Sequence, residues 1–179
     1  MFYFPLNKDS ELRLLETIDA EELFALTENN RHHLRRWLPW VDKNKTVDDS
    51  RQFIESTRKQ LAQNQGLHPG IWYQGQLAGI IGQHGIDWGN RSTSIGYWLG
   101  KDFEGKGLIT LGCKALIEFS FKKLGLNRVE IRCAVGNKKS QAVPLRLGFK
   151  KEGVLRRAEL LDDTFTDHVL FGLLAEDWD

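Results

Sequence analysis

Residues 101 to 121, KDFEGKGLITLGCKALIEFSF, set two glycines around a lysine, Gly105-Lys106-Gly107, directly before a run of helix-forming sequence. A helix start ordinarily carries Ser, Thr, Asp or Asn, whose side-chain oxygen satisfies one of the first N–H groups. None stands directly before Leu108. Main-chain donors are therefore left at the positive end of a helix dipole, an arrangement that holds a phosphate. Glycine in a connecting loop also has an ordinary steric use, so both readings stay open on spacing alone. The triphosphate pattern G-x-x-x-x-G-K-[ST] cannot be threaded through EGKGLIT. The dinucleotide fingerprint fails too, for want of its third glycine and of an acidic residue about 20 positions further on.

Other groups invite chemistry less directly. Asn137 and Ser140 follow a strand-like run with the spacing Asn-x-x-Ser; both are preferred turn and cap residues, and a helix start explains them without chemistry. The segment RHHLRRWLPW, residues 31 to 40, interleaves Arg31, Arg35 and Arg36 with Trp37, Pro39 and Trp40. Such a surface can meet acidic groups or RNA, or it can be an amphipathic helix whose arginines snorkel over a core of tryptophans. Charged residues make up 27% of the chain and the net charge is only +1, which argues against direct nucleic-acid or membrane binding. Cys113 and Cys133 lie far apart with no C-x-x-C spacing and no His cluster, against a disulfide scaffold and against a zinc site. No signal-peptide order stands at the N-terminus, and no apolar run approaches the roughly 18 residues needed to span a bilayer. The expectation is a soluble cytoplasmic protein.

The elements that must position these groups follow from periodicity. ELRLLETI, residues 11 to 18, predicts an opening strand, and DAEELFALTENN a helix. Thr46-Val-Asp-Asp49 reads as a capping box for a helix over about residues 48 to 64. GIWYQG and QLAGIIGQHGIDW predict two hairpin strands across Gly75-Gln76, STSIGYWLG a further strand after the turn Gly89-Asn90-Arg91. The long helix after the glycine loop stops at Leu124-Gly125. RVEIRCAV predicts a strand, NKKSQAVPLRLGF a short helix made awkward by Pro144, and GVLRRAELL with FTDHVLFGLL two antiparallel strands joined at Asp162-Asp163. The order is strand, two helices, three strands, helix, strand, helix, two strands: a single mixed α/β domain over residues 1–179.

IGYWLGKDFEGKGLITLGCKALIEF, together with CAVGNKKSQAVPLRLGF, resembles the acetyl-CoA-binding core of the GNAT acetyltransferase superfamily. The whole chain is similar in order to its branch of ribosomal-protein serine/alanine N-terminal acetyltransferases. The resemblance implies an α/β (α+β) fold: a mixed, mostly antiparallel central sheet of about seven strands with helices on both faces. In the family the loop reads Arg or Gln, two residues, Gly, one residue, Gly or Ala. Here Glu104 takes the first position, Gly107 matches, and Ile109 stands where Gly or Ala is commonest. The implied coenzyme contacts are Gly105, Lys106 and Gly107, with Glu104, Leu108 and Ile109 as main-chain donors and Lys106 offsetting the Glu104 carboxylate.

The resemblance further implies that SIGYWLG splays from the next strand. Pantetheine would then lie along Tyr97, Trp98 and Leu99, with an N–H there facing the thioester oxygen. By composition alone these three are ordinary strand aromatics and core. Asn137 is implied to hydrogen-bond the coenzyme arm, and Ser140 to protonate the departing thiolate. Glu159 matches the implied base, with Asp167 and His168 as runners-up. Both faces of its strand are apolar, Leu155 and Leu161 on one and Val154, Ala158 and Leu160 on the other, so alternation leaves its direction open. A pairing with Arg156 or Arg157 is the structural alternative. Arg36, Trp37 and Trp40 are implied to wall the acceptor site. The expected activity is transfer of acetyl from acetyl-CoA to a primary amine in a ternary complex, the acceptor an N-terminal α-amine of a ribosomal or other protein. The alternatives are a small-amine acetyltransferase or an acyl-CoA-binding protein without chemistry. The ribosome and a homodimer are further expected partners.

Overall fold

Alternating Leu12 and Leu14 make a strand as expected, but it is short: β2 covers Ser10–Leu14, and Thr17–Asp19 turn into a 3-10 helix instead of extending it. Before it lies a strand the sequence reading did not include, β1 (Tyr3–Pro5), which pairs Phe4 with Leu12. The computed structural model describes residues 3–178. Helix α1 (Ala20–Asn29) and the single turn α2 (Arg31–Leu34) follow. Helix α3 (Val47–Ala62) starts at the anticipated box: Asp49 N–H donates to Thr46 Oγ1 at 3.2 Å and Thr46 N–H to Asp49 Oδ2 at 2.9 Å. Thr46→Ala is expected to lower unfolding stability by about 1 kcal/mol, read from the urea midpoint.

Strands β3 (Pro69–Tyr73), β4 (Gln76–Asp87) and β5 (Ser92–Leu99) form an antiparallel meander. Helix α4 (Leu108–Glu118) runs on into a π-helical turn, Phe119–Lys123, before Gly125 ends it at φ 65°. Then come β6 (Arg128–Ala134), α5 (Lys138–Arg146), β7 (Lys150–Leu161) and β8 (Thr164–Leu174). All eight strands join one sheet in the order β1-β2-β3-β4-β5-β6-β8-β7, and only the β5–β6 contact is parallel.

Helices cover both faces. α1 and α3 press Leu23 and Ile54 onto Trp72, Leu77 and Ile80. On the opposite face α4 and α5 bury Leu108, Leu116 and Val143 against Ile81, Ile95, Ile131 and Phe171. Adjacent residues such as Ile80 and Ile81 thus serve different cores, because successive strand side chains point to opposite faces. Among the described residues no helix is long and apolar enough to cross a membrane.

Candidate active site

The parallel contact between β5 and β6 lasts three residues, Ser92, Thr93 and Ser94 against Arg128, Val129 and Glu130. Beyond it the strands diverge, so the edges from Ile95 to Leu99 and from Ile131 to Ala134 face each other across a V-shaped gap without ladder pairing. Buried strand edges ordinarily have partners. Here the gap-facing main-chain groups are left to an extended ligand, except the Ala134 carbonyl, which accepts from the Asn137 N–H and from Gln141 Nε2, each at 2.9 Å.

The first turn of α5 closes the gap. Asn137 caps it, its Oδ1 accepting the Ser140 N–H at 3.1 Å. Ser140 touches both diverging strands, with Oγ 3.2 Å from Cys133 Sγ of β6 and 3.4 Å from the Tyr97 hydroxyl of β5. Pro144, awkward on sequence grounds, has a use here. It lacks the N–H that would bond to the Ser140 carbonyl four residues earlier, and the Tyr97 hydroxyl donates to that carbonyl instead, at 2.9 Å. Burial, with Cys133 and Cys113 adding, pushes the Tyr97 hydroxyl well above its usual pKa. It is a neutral donor at physiological pH.

Helix α4 begins as its sequence suggests. Gly107 is the N-cap at φ 74° with no side-chain cap, and Gly105 also has positive φ, 76°. Among the described residues no acceptor takes the N–H of Gly107, Leu108, Ile109 or Thr110. A Cβ added at Gly105 or Gly107 would meet nothing within 4 Å. The cradle is open, and it fits a diphosphate. Arg146 of α5 donates to Thr110 Oγ1 at 2.8 Å, which brings a guanidinium to the same helix start.

Glu104 is not offset by Lys106, whose ammonium lies 5.8 Å from the centre of the Tyr73 ring. Its carboxylate is held by Lys139 at 2.8 Å and by His33 at 2.9 Å, from α5 and α2. Burial pushes its pKa up, but the hydrogen bond and charge of Lys139, joined by those of His33, outweigh this and the net displacement is downward. Glu104 is a tethered anion that occupies Lys139. Glu104→Gln is expected to free Lys139 and tighten coenzyme A binding about threefold at low salt, an effect that fades as salt rises. Calorimetry at two ionic strengths reads it.

On the α1–α3 side of the sheet lies a cavity of about 570 Å³. Leu23, Phe53, Trp40 and Trp98 supply apolar wall, and Tyr97, His84 and Glu159 also border it. Trp40 packs on Trp98 with ring centres 5.7 Å apart. Glu159 contacts His168 Nε2 through Oε2 at 3.2 Å. Its direction is set by a bulge, where three residues of β7, Arg156 to Ala158, stand opposite Asp167 alone. Arg157 has φ 50° and donates its N–H to Asp167 Oδ1 at 2.7 Å. Asp167 thus fastens the bulge and His168 partners Glu159.

The remaining candidates divide. Trp40 borders the cavity, whereas Trp37 packs on Gly136 beside Asn137 and Arg36 lies over the Trp37 ring at 5.7 Å. Arg31 fastens the loop through Glu28 and the carbonyls of Val41 and Asn44, and Arg35 pairs with Asp42. Sequence reasoning missed His33 and Lys139 as partners of Glu104, Arg146 at the helix start, and His68 and His84. A signal for the histidines existed in their flanking glycines.

Strands that part beside an uncapped helix start suit a long thioester arm ending in a diphosphate, and the class this defines is that of acyl-coenzyme A-dependent transferases. Residues 10–150 match the family described as "Acetyltransferase (GNAT) domain", and the chain belongs to that family of acetyl-CoA-using enzymes. It is 42% identical over 180 residues to a protein of Bacillus subtilis (strain 168) named putative ribosomal N-acetyltransferase YdaF, covering 100% of this chain and 98% of that one. It is 33% identical over 177 residues to the ribosomal-protein-serine acetyltransferase of Escherichia coli (strain K12), covering 91% and 99%. Its fold is similar, with a TM-score of 0.91 and 34% identity over 94% of each chain, to the microcin C7 self-immunity acetyltransferase MccE solved with acetyl-CoA and AMP.

Proposed function

We propose that this chain, as one catalytic domain over residues 1–179, moves an acetyl group from acetyl-CoA to the N-terminal α-amine of a ribosomal or other protein. The observation that carries this is the contact of Ser140 with both diverging strands, on the far side of which the cavity opens. The diphosphate sits on the amides of Gly105 to Ile109, and pantetheine runs along Tyr97 to Leu99 beside Asn137. A main-chain N–H in the gap meets the charge that develops on the thioester oxygen. The amine enters from the cavity, loses a proton to Glu159 or a water it holds, and attacks the carbonyl carbon. The C–N bond forms, the C–S bond breaks, and Ser140 supplies the thiolate's proton. Holding both substrates in one complex contributes much of the rate.

A small-amine acceptor is the second reading, favoured by two observations: the cavity is of small-molecule size, and MccE was solved in complex with both acetyl-CoA and AMP. A binding protein without chemistry loses its main support, since the Glu104 carboxylate is already held by Lys139 and His33. The same proposal includes a cytoplasmic site of action, in keeping with two buried free thiols. It also includes a homodimer formed through the β7–β8 hairpin, where Leu160 and Phe165 are 50% and 58% exposed on an outer strand pair. Thiol release from acetyl-CoA, measured with serine- and alanine-initiated peptides and with small amines, decides between the acceptors. Coenzyme binding without release in any mixture would refute catalysis.

A further inference from the structure

Directly opposite each other in the middle of the sheet stand two glycines, Gly82 of β4 and Gly96 of β5. Glycine weakens a strand interior and often marks a place that something else must approach. What approaches here is a pair of imidazoles. A Cβ at Gly82 would stand 2.1 Å from His68 Nδ1, and one at Gly96 would stand 2.6 Å from His84 Nε2. The two rings lie 4.9 Å apart between centres. His68 is buried and fixed by Gln60 Oε1 of α3 at 3.0 Å, which makes its Nε2 the donor. His84 differs: its ring nitrogens hydrogen-bond to no described residue, and the ring is open to solvent from the cavity.

Position adds to this. His84 is in register with Ser94, the last residue of β5 that pairs with β6, so its backbone marks the level at which the gap opens. The strand bulges immediately afterwards, between His84 and Asp87, with Gly85 at φ 54°. A bulge re-aims the side chains beside it and is common next to active sites. Two strands have given up packing residues to seat two rings, and the outer one has unspent hydrogen-bonding capacity facing an apolar chamber.

We propose that His84 is an acceptor-binding residue, whose imidazole nitrogen accepts a hydrogen bond from the incoming ammonium and holds it at the mouth of the gap opposite Glu159. This rests on the reading of the cavity as the acceptor chamber. An ammonium entering walls of Trp40, Trp98 and Ile80 loses its water, and only a neutral or anionic acceptor can replace that hydration. The other charged or titratable groups that border the chamber are Lys43, Asp49, Glu159 and Tyr97, whose hydroxyl is turned to the Ser140 carbonyl, with the His68 ring tilted against His84 and His168 behind Glu159. Lys43 repels an ammonium, Asp49 is engaged in capping α3, and Glu159 approaches from β7. His84 is therefore the sheet-side partner, with His68 and Gln60 as positioning residues.

Its protonation sets a direction for pH dependence. The protein walls lower the His84 pKa by disfavouring the charged form, and burial together with the neighbouring His84 pushes His68 down to about 4. His84 stays neutral through the physiological range and charges only below the usual histidine value of about 6.5. An imidazolium there opposes the ammonium, so acceptor KM rises as pH falls.

The test is steady-state kinetics of wild type, His84→Ala and His84→Gln, with a serine-initiated peptide and with spermidine as acceptors. Folding is checked by the thermal midpoint and by the acetyl-CoA Kd. His84→Ala is expected to raise acceptor KM about tenfold, the loss of one hydrogen bond to a charged group. Its kcat and the KM for acetyl-CoA stay near wild type. His84→Gln, which keeps an acceptor atom but does not titrate, recovers most of the affinity and loses the acid rise in KM. Acceptor KM unchanged in an active His84→Ala enzyme, or an acid rise that survives in His84→Gln, overturns the role of His84 alone. Absence of turnover by the wild type with either amine overturns the acetyl-transfer reading and this inference together.

Discussion

Ser140→Ala is expected to lower kcat by about 10² to 10⁴ while leaving the Kd for acetyl-CoA within about twofold. The substitution is nearly neutral for the fold, because the structural duties of this residue lie in its main chain. Its N–H is capped by Asn137 and its carbonyl takes the Tyr97 hydroxyl, both independent of Oγ. What is lost is the one hydroxyl that lies within 3.4 Å of both Cys133 Sγ and the Tyr97 hydroxyl, at the turn that spans the parted strands. Among the described residues, the side-chain donors that then neighbour a thiolate leaving in that gap are the Tyr97 hydroxyl and the Cys133 thiol. Tyr97→Phe should therefore have a modest effect on the wild type and a larger one on the Ser140→Ala background. Pre-steady-state thiol release separates the chemical step from product release. If turnover by Ser140→Ala matches wild type, Ser140 serves only the first turn of α5, under the Asn137 cap.

The second large effect is expected from Glu159→Gln, a loss of about 10² or more in kcat. Glutamine keeps the length and an oxygen for His168, so the 3.2 Å contact and the β7 bulge can persist. It cannot take a proton from the attacking amine. Because Glu159 borders the cavity on the α1–α3 side of the sheet and not the start of α4, the acetyl-CoA Kd should remain where it was. His168→Asn, which removes the ring but no base, should cost far less. The decisive contrast is between the two: equal losses would mean that Glu159 only supports the hairpin, and full activity in Glu159→Gln would leave water alone as base.

Legibility in the sequence tracked how local each feature is. The uncapped start of α4 could be read because Gly105 and Gly107 act through their own φ angles, 76° and 74°, and need no distant partner. The box at Thr46 and Asp49 and the cap of Asn137 on Ser140 were readable for the same reason, each joining residues three positions apart. Glu104 was readable as a departure from the family loop but not in its consequence, because His33 and Lys139 come from two other helices. Glu159 was undecided because period-2 alternation loses phase at a bulge, and nothing in RRAELL announces that Arg157 adopts a positive φ.

The short strand β1 escaped notice since three residues carry too little pattern. The ordinary ending of β2 at Leu14, four residues before the apolar pattern stops, reflects the 3-10 turn that swings Ile18 outward to 83% exposure. Pro144 was visible as an anomaly, but its use depends on Tyr97, 47 positions earlier in the chain.

The family was legible as a resemblance of motifs, and the amino-acid order by itself determined most of the succession of elements from β2 onward and the free amides ahead of α4. Those are properties of periodicity, backbone permissiveness and short spacing, which act within a few residues. Tertiary structure decided where the sheet splits, which hydroxyl stands in the split, which way Glu159 points and why Gly82 and Gly96 are glycine. Each of these is a meeting of strands or helices far apart in the chain, settled by register and packing energy across the whole sheet, and no local preference contains it.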